Sequence, residues 1–281
     1  MASIVYAMET LQVFRENSVV TVTINQPKKK NAINPAMWDG LTEIFREIAS
    51  RVDDRVVVVT GAGDDFCSGA DLSGRGGAGA GDSAGAGAGA NAGAQNQVHH
   101  LAAMRRVNDA CIALQRLPQP TIAKVRGVAV GAGCNLALGC DLVVASQTAR
   151  FSEIFARRGL SLDFGGSWLL PRRIGMHRAK ELALLAEIVS ASDALEMGLV
   201  NRVLPDGEVD AFVDNWARKL AAGPPIALAQ TKRLLNNSLN VTLEEALDDE
   251  AAAQTINFAT SDTAEAMRAF IEKREPKFTG R

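Results

Sequence analysis

The sequence predicts an α/β protein of stacked ββα turns, completed by a helical C-terminal region. Three observations lead there. Short β-branched runs are twice followed by glycine-bearing turns, Phe66–Leu72 and Gly127–Ala137, the second leading directly into a helical pattern. The run Arg55–Thr60 (R-V-V-V-V-T) shows no polar alternation, as expected of a strand covered on both faces. Beyond about Pro205 the strand signals stop and helical segments follow one another.

Taken in order, Val13–Phe14 and Val19–Ile24 alternate apolar and polar residues around Glu16-Asn17, which predicts a hairpin. Asn34 and Pro35 stand as N-cap and first residue of an amphipathic helix that runs to about Ser50. Gly61-Ala-Gly-Asp-Asp ends the buried strand after Thr60. Residues 73 to 95 are mostly Gly, Ala, Ser and Asn, a composition with too little apolar surface to order itself, and read as a mobile surface insertion. A helix is expected from about Gln97 to Leu117, stopped by Pro118. Thr121–Val130 reads as one strand, Gly131–Gly139 as a turn into a helix, Leu142–Ala145 as a short strand, and Phe151 as the start of another element. Helices are then expected at Val209–Ala222, Ile226–Asn237, Leu243–Phe258 and Thr263–Lys273, with a boundary near Asp206.

A chain of 281 residues, 47% of them hydrophobic, can bury a sizeable core. A net charge of −2 gives no general attraction to nucleic acid or an anionic membrane, and no apolar run is long enough to span a bilayer. Cys67, Cys111, Cys134 and Cys140 form no C-x-x-C pair and have no histidine at metal-ligand spacing, which predicts free thiols in a reducing compartment and no metal site. The first residues lack the order of a signal or transit peptide, so the expectation is a cytoplasmic protein.

The two glycine turns are where chemistry is expected. Small residues let a ligand approach the backbone closely, and a helix N-terminus presents unpaired N–H groups that suit an oxyanion. Taken singly, each could equally be an ordinary tight turn. A dinucleotide fingerprint does not fit: Gly131 and Gly133 match G-x-G-x-x-G, but Leu136 takes the third position.

Taken together, Asn25-Gln26-Pro27 to Asn31-Ala32, Phe66–Leu72, Pro120–Ala145, Gly159–Gly175 and Ala191–Val203 resemble the crotonase, or enoyl-CoA hydratase/isomerase, superfamily over nearly the whole chain. The resemblance implies a spiral core over residues 1–205 and a C-terminal helical trimerisation region over 206–281. It implies an acyl-CoA thioester as substrate, no cofactor beyond its CoA moiety, and assembly as a homotrimer or a dimer of trimers. By position, the oxyanion-hole N–H groups are those of Ala70 and Ala132. Contacts to CoA are implied for Lys30, Ala32, Ser68, Asp71, Leu72, Phe270 and Lys273, the last two often from a neighbouring subunit. On the residues alone, Lys30 could equally be a solvated lysine, and Phe270 and Lys273 a helix anchor and a surface charge.

Hydratases of the superfamily use two glutamates. Here those positions hold Asn135 and Phe155, neither of which carries a proton at neutral pH. Asp163 stands where hydratases carry glycine, and Asp163-Phe-Gly-Gly-Ser-Trp168-Leu-Leu-Pro171 is similar to the aspartate-dependent isomerases, closest to 1,2-epoxyphenylacetyl-CoA isomerases. The resemblance therefore implies double-bond isomerisation in fatty-acid or aromatic-acid metabolism, with Asp163 as acid/base raised by burial against Phe155, Phe164 and Trp168. Three alternatives stay open. Asp163 could cap the helix beginning at Gly165. Glu153, two residues before Phe155, could share its face and act as the acid of a hydratase. The chain could also be a non-catalytic acyl-CoA binder. His99 and His100 read as surface residues.

Overall fold

The computed structural model describes residues 3–71 and 100–281. The expected insertion at 73–95, Leu72 and His99 lie outside the described residues.

Two sheets form the core. Strands β1 (Ser3–Met8), β2 (Leu11–Glu16), β3 (Val19–Ile24), β4 (Val56–Gly61), β5 (Thr121–Val125), β7 (Leu142–Ser146) and β10 (Arg202–Leu204) make a seven-stranded sheet in the order β1-β2-β3-β4-β5-β7-β10. The first three are antiparallel, and from β3 onward every pairing is parallel. Strands β6 (Val128–Val130), β8 (Arg150–Ser152) and β9 (Val189–Ser190) form the smaller sheet. The hairpin between β2 and β3 turns on Asn17 and Ser18, both with positive φ (50° and 65°), as a tight hairpin with right-handed strand twist requires. Strand β1 has no counterpart in the sequence reading.

Each turn of the chain gives one strand to the large sheet, one extended segment to the small layer, and one helix. β3 leads to Ile33 and α1 (Pro35–Ser50); β4 leads to Cys67 and Ala70, with α2 (His100–Gln115) next among the described residues. β5 leads to β6 and α3 (Ala132–Gly139); β7 leads to β8 and α4 (Gly166–Leu185), and β9 runs into α5 (Ala191–Glu196). This is the expected spiral of ββα turns. The expected single strand Thr121–Val130 is corrected: it breaks at Arg126-Gly127, where Gly127 has φ 51°, and its halves join different sheets. A methyl group on Gly127 would stand 2.2 Å from the Asp64 carbonyl oxygen and 2.4 Å from Asp65 Oδ1, so glycine is needed there for close approach as well as for φ.

The main core lies between the large sheet and α1, α2 and α3, filled by Met37, Leu41, Phe45 and Ile48 of α1 against Val57 and Val59 of β4. Asn34 caps α1 by accepting the Met37 N–H at 3.0 Å, with Pro35 at the first helical position. The other face of β4, Val56 and Val58, is covered by α6 (Val209–Ala221) through Val209, Val213, Ala217 and Ala221, spaced four apart on one face of the helix. Each valine so enclosed contributes about 1.5–3 kcal/mol at most. The double cover is why this run carries no polar residue.

Helices α7 (Pro225–Asn237), α8 (Leu243–Phe258) and α9 (Ser261–Glu272) follow. α7 buries no residue of its own but is tied to the core where Lys232 Nζ meets Asp141 at 2.8 Å and donates to the Gln119 carbonyl. Leu235, Leu243, Leu247, Phe258, Phe270 and Ile271 of these helices face outward. Among the described residues no helix is long and apolar enough to cross a membrane.

Candidate active site

The two glycine turns are bonded side by side. The Cys67 N–H donates to the Val128 carbonyl at 2.9 Å, and the Val130 N–H returns a bond to the Cys67 carbonyl at 3.0 Å. Gly69 (φ 96°) comes so close to the second turn that a methyl group on it would stand 2.9 Å from the Val130 oxygen and 3.7 Å from the Ala132 nitrogen. A methyl on Gly133 would sit 2.3 Å from the Cys67 oxygen. Glycines are thus what let the backbones of Ala70 and Ala132 approach.

Ala70 lies on an extended segment whose neighbours are already committed: the Gly69 carbonyl accepts from Ile33 N–H, and Asp71 N–H donates to the Ile33 carbonyl, both at 2.8 Å. Alternation along the segment aims the Ala70 N–H the other way. Ala132 opens α3 after Gly131 (φ 56°), so its N–H has no partner within the helix. No hydrogen bond among the described residues uses either N–H. Both residues line a cavity of about 570 Å³, together with Lys30, Ser68, Phe155 and Asp163. The arrangement can hold an oxygen that gains negative charge.

Asp163 is carried on a turn before α4 in which Phe164 (φ 46°) and Gly165 (φ 75°) are both left-handed. Its side chain does not cap the helix. Gly165 holds the N-cap position without a side-chain bond, and only the Asp163 backbone carbonyl takes part, accepting from Gly166 N–H at 2.9 Å. Asp163 also borders a second cavity, of about 360 Å³, between α1 and α2, lined by Ile33, Pro35, Trp38, Met104 and Val107. That space, which the sequence reading did not foresee, can accept an apolar group extending past the carboxylate. Phe155 shares the first cavity with Asp163, as expected. Phe164 and Trp168 do not line that cavity. The Phe164 ring packs on Trp38 at 5.4 Å between centroids, and Trp168 turns outward with the Arg172 guanidinium 4.0 Å above its ring.

Glu153 behaves differently from its expected place beside Phe155. Strand β8 ends at Ser152, and Glu153 opens a short 3-10 turn. Its carboxyl is buried to 1% exposure, does not line the cavity, and faces α3, where the Asn135 amide donates to Oε2 at 3.2 Å. Burial pushes this carboxyl up to about 7; hydrogen bonds from Cys134 and Asn135 act against the rise, and the nearby Asp163 charge adds to it. Asn135 is wholly buried and does not line the cavity either. The four cysteines are free and buried, and burial lifts Cys67 and Cys140 to about 12 and Cys111 to about 11, so none offers a thiolate at neutral pH.

The other expected residues are dispersed. Lys30 lines the cavity, mostly exposed, with Asp65 Oδ2 3.8 Å away. Ser68 Oγ donates to the Lys29 carbonyl at 3.2 Å, and Asp71 pairs with Lys29 at 2.8 Å. Ala32 is buried, its carbonyl accepting from the Gln26 side chain. Phe270 and Lys273 sit exposed at the end of α9 and do not line the cavity of this chain. Arg158, also in the cavity wall, was not singled out from sequence; lying eight residues after a strand start, it carried no signal of its own.

A family model described as enoyl-CoA hydratase/isomerase matches residues 14–281. The chain belongs to the enoyl-CoA hydratase/isomerase family. Among its relatives, 1,2-epoxyphenylacetyl-CoA isomerase of Escherichia coli (strain K12) is 36% identical over 98% of this chain and 100% of its own. A probable enoyl-CoA hydratase of Rhodobacter capsulatus is likewise 36% identical, over 94% of this chain and 95% of its own. The crystal structure of a putative enoyl-CoA hydratase from Streptomyces coelicolor A3(2) superposes with a TM-score of 0.87 at 35% identity, covering 97% of this chain and 94% of that one. Enoyl-CoA hydratase/isomerase relatives thus carry names of both reactions, so the family fixes the enzyme class and the fold and leaves the choice of reaction to the site.

Proposed function

We propose that this enzyme isomerises an unsaturated acyl-CoA, with Asp163 as its single acid/base and the N–H groups of Ala70 and Ala132 as the oxyanion hole. One observation carries the reading: Asp163 is the only carboxylate among the described residues of the cavity wall, which it shares with the paired glycine turns. The Asp163 carboxylate takes a proton from the carbon next to the double bond. The electron pair spreads onto the thioester oxygen, where two N–H donors meet the charge, each worth on the order of 3 kcal/mol in the transition state. The same carboxyl then returns the proton at the other end of the allylic system. No atom is gained or lost, so one base suffices, whereas hydration needs a held water and two proton transfers.

Lys30, with Ser68, Ala32 and Asp71 near it in sequence or space, is proposed to meet the CoA moiety, and so is Leu72, which lies outside the described residues. Phe270 and Lys273 would do so across a subunit boundary in a homotrimer or dimer of trimers. The four protonated thiols fit a reducing cytoplasm. The rival reading, a hydratase, has one observation in its favour: the Glu153 carboxyl titrates near 7, a suitable range for an acid. Its position outside the cavity wall weighs against it.

The test is a panel of 2-enoyl-, 3-enoyl- and dienoyl-CoA esters with products identified by mass, run with wild type and Asp163→Asn. Unchanged mass with a shifted double bond is expected for wild type. Asp163→Asn should bind the esters within a few-fold and lose about two to four orders of magnitude in turnover. Rapid gain of water on crotonyl-CoA, or undiminished turnover in Asp163→Asn, would refute the assignment.

A further inference from the structure

The Asp163 turn is an improbable piece of backbone. Two successive left-handed residues, one of them phenylalanine, persist only where the surroundings over-determine them. The surroundings here are specific. Cys111 of α2 donates its thiol to the Phe164 carbonyl at 3.4 Å, and Trp38 of α1 packs on the Phe164 ring. From α3, the Asn135 amide donates to the Asp163 carbonyl at 3.0 Å and to Glu153 Oε2 at 3.2 Å, so one NH₂ group bridges the two segments. Gly166 is pressed against that amide so closely that a methyl group on it would lie 2.5 Å from Asn135 Nδ2. The amide is thus packed against the first residue of α4, and the two acceptors of its NH₂ group, the Asp163 carbonyl and Glu153 Oε2, set its orientation.

We propose that Glu153 is a positioning residue for Asp163: acting through the Asn135 amide, it holds the Asp163 turn against α3 and so fixes where the base stands relative to the oxyanion hole. The proposal rests on the isomerase reading above. Glu153 touches no substrate. Without its acceptor the buried amide would seek another, and the carbonyl it steadies belongs to the residue whose side chain moves the proton. The groups that bear on the Glu153 charge are the Cys134 thiol and Asn135 amide of α3 and the Asp163 carboxylate; no cation is among them. The Glu153 and Asp163 charges repel, so turnover should sense the ionisation of Glu153.

The experiment compares wild type, Asp163→Asn, Glu153→Gln and Glu153→Leu on the isomerised CoA ester, with kcat and KM followed across pH. Glutamine keeps an acceptor for Asn135 and leucine removes it. Glu153→Leu should lose on the order of tenfold to a hundredfold in kcat, the effect of a misplaced base, with KM within a few-fold. Glu153→Gln should recover most of that loss and lack the inflection near pH 7 that is expected of wild type. Wild-type kcat in Glu153→Leu would overturn the proposal, as would equal loss in both Glu153 variants, which would make the carboxyl itself the acid. If Glu153→Leu does not fold, the Glu153→Gln profile decides, and an inflection retained near pH 7 overturns the proposal. Wild type that isomerises no ester refutes the isomerase reading and this proposal with it; normal isomerisation that needs Asp163 but ignores Glu153 refutes this proposal alone.

Discussion

The buried Glu153 carboxyl should leave its mark on stability, independently of any substrate. In the unfolded chain a glutamate ionises near 4.5; in the native protein burial moves Glu153 to about 7. Between those values the native state holds a proton that the unfolded state has released. Stability therefore falls as pH rises through this window and stays lowered above it. Below about 4.5 both states are protonated and the penalty is absent. A displacement of this size corresponds to about 3 kcal/mol in full, of which about 2–3 kcal/mol develops between pH 5 and pH 8.

The perturbation that isolates this term is Glu153→Gln, which keeps the volume and an acceptor for Asn135 and has nothing to ionise. Urea unfolding of both proteins at pH 5 and pH 8, at one protein concentration so that assembly does not intrude, gives a double difference in which all other titrations cancel. The glutamine protein should gain about 2–3 kcal/mol on wild type between the two pH values. A difference between the proteins that is the same at both would show that Glu153 is solvated or paired in solution, and would remove the electrostatic link between it and Asp163.

Two further outcomes are expected. Gly133→Ala drives its new methyl into the Cys67 carbonyl, 2.3 Å away on backbone, so it should cost about 1–3 kcal/mol by thermal melting and lower turnover more than tenfold, because the oxyanion donors separate. Light scattering at micromolar concentration should report three or six chains, since Leu235, Leu243, Phe258, Phe270 and Ile271 are left exposed on one set of C-terminal helices; a monomer would remove the basis for placing Phe270 and Lys273 at a CoA site.

Much of the fold was legible because the signals were local. Asn34-Pro35 fixes the start of α1 by capping chemistry alone, and the valine run of β4 announces a strand covered on both faces. What was not legible depended on distant neighbours. Thr121–Val130 reads as one strand because only Gly127 interrupts it, and a lone glycine does not say whether a strand bends. The break is imposed by Asp64 and Asp65, some sixty residues earlier, whose backbone and side chain occupy the space a Cβ would need. Trp168 was placed beside Asp163 by sequence proximity, but α4 begins at Gly166 and carries it to the outer face, where Arg172 one turn later covers the ring.

The site was legible as an exchange of residue types and not as an arrangement. Asn135 and Phe155 in place of acids and Asp163 in place of glycine could be counted along the chain. That Asn135 serves Asp163 could not, because the link is a side-chain amide reaching a backbone carbonyl 28 residues away. The place of Glu153 was hidden for the same reason. Extending the period-2 rule past Ser152 put it on the Phe155 face, whereas the strand ends there and the carboxyl swings toward α3. The consequence is that α3 is the pivot of the site. Its first residue, Ala132, presents an N–H at the cavity, and Asn135, whose own N–H is bonded to the Gly131 carbonyl at 3.0 Å, holds the Asp163 carbonyl through its amide. Both groups lie within one turn of a short, wholly buried helix, so on the proposed reading the oxyanion donor and the holder of the base share one rigid element. A thioester oxygen and the carbon that yields its proton are held a fixed distance apart by their own bonds, and a rigid helix turn is the kind of ruler that can match them.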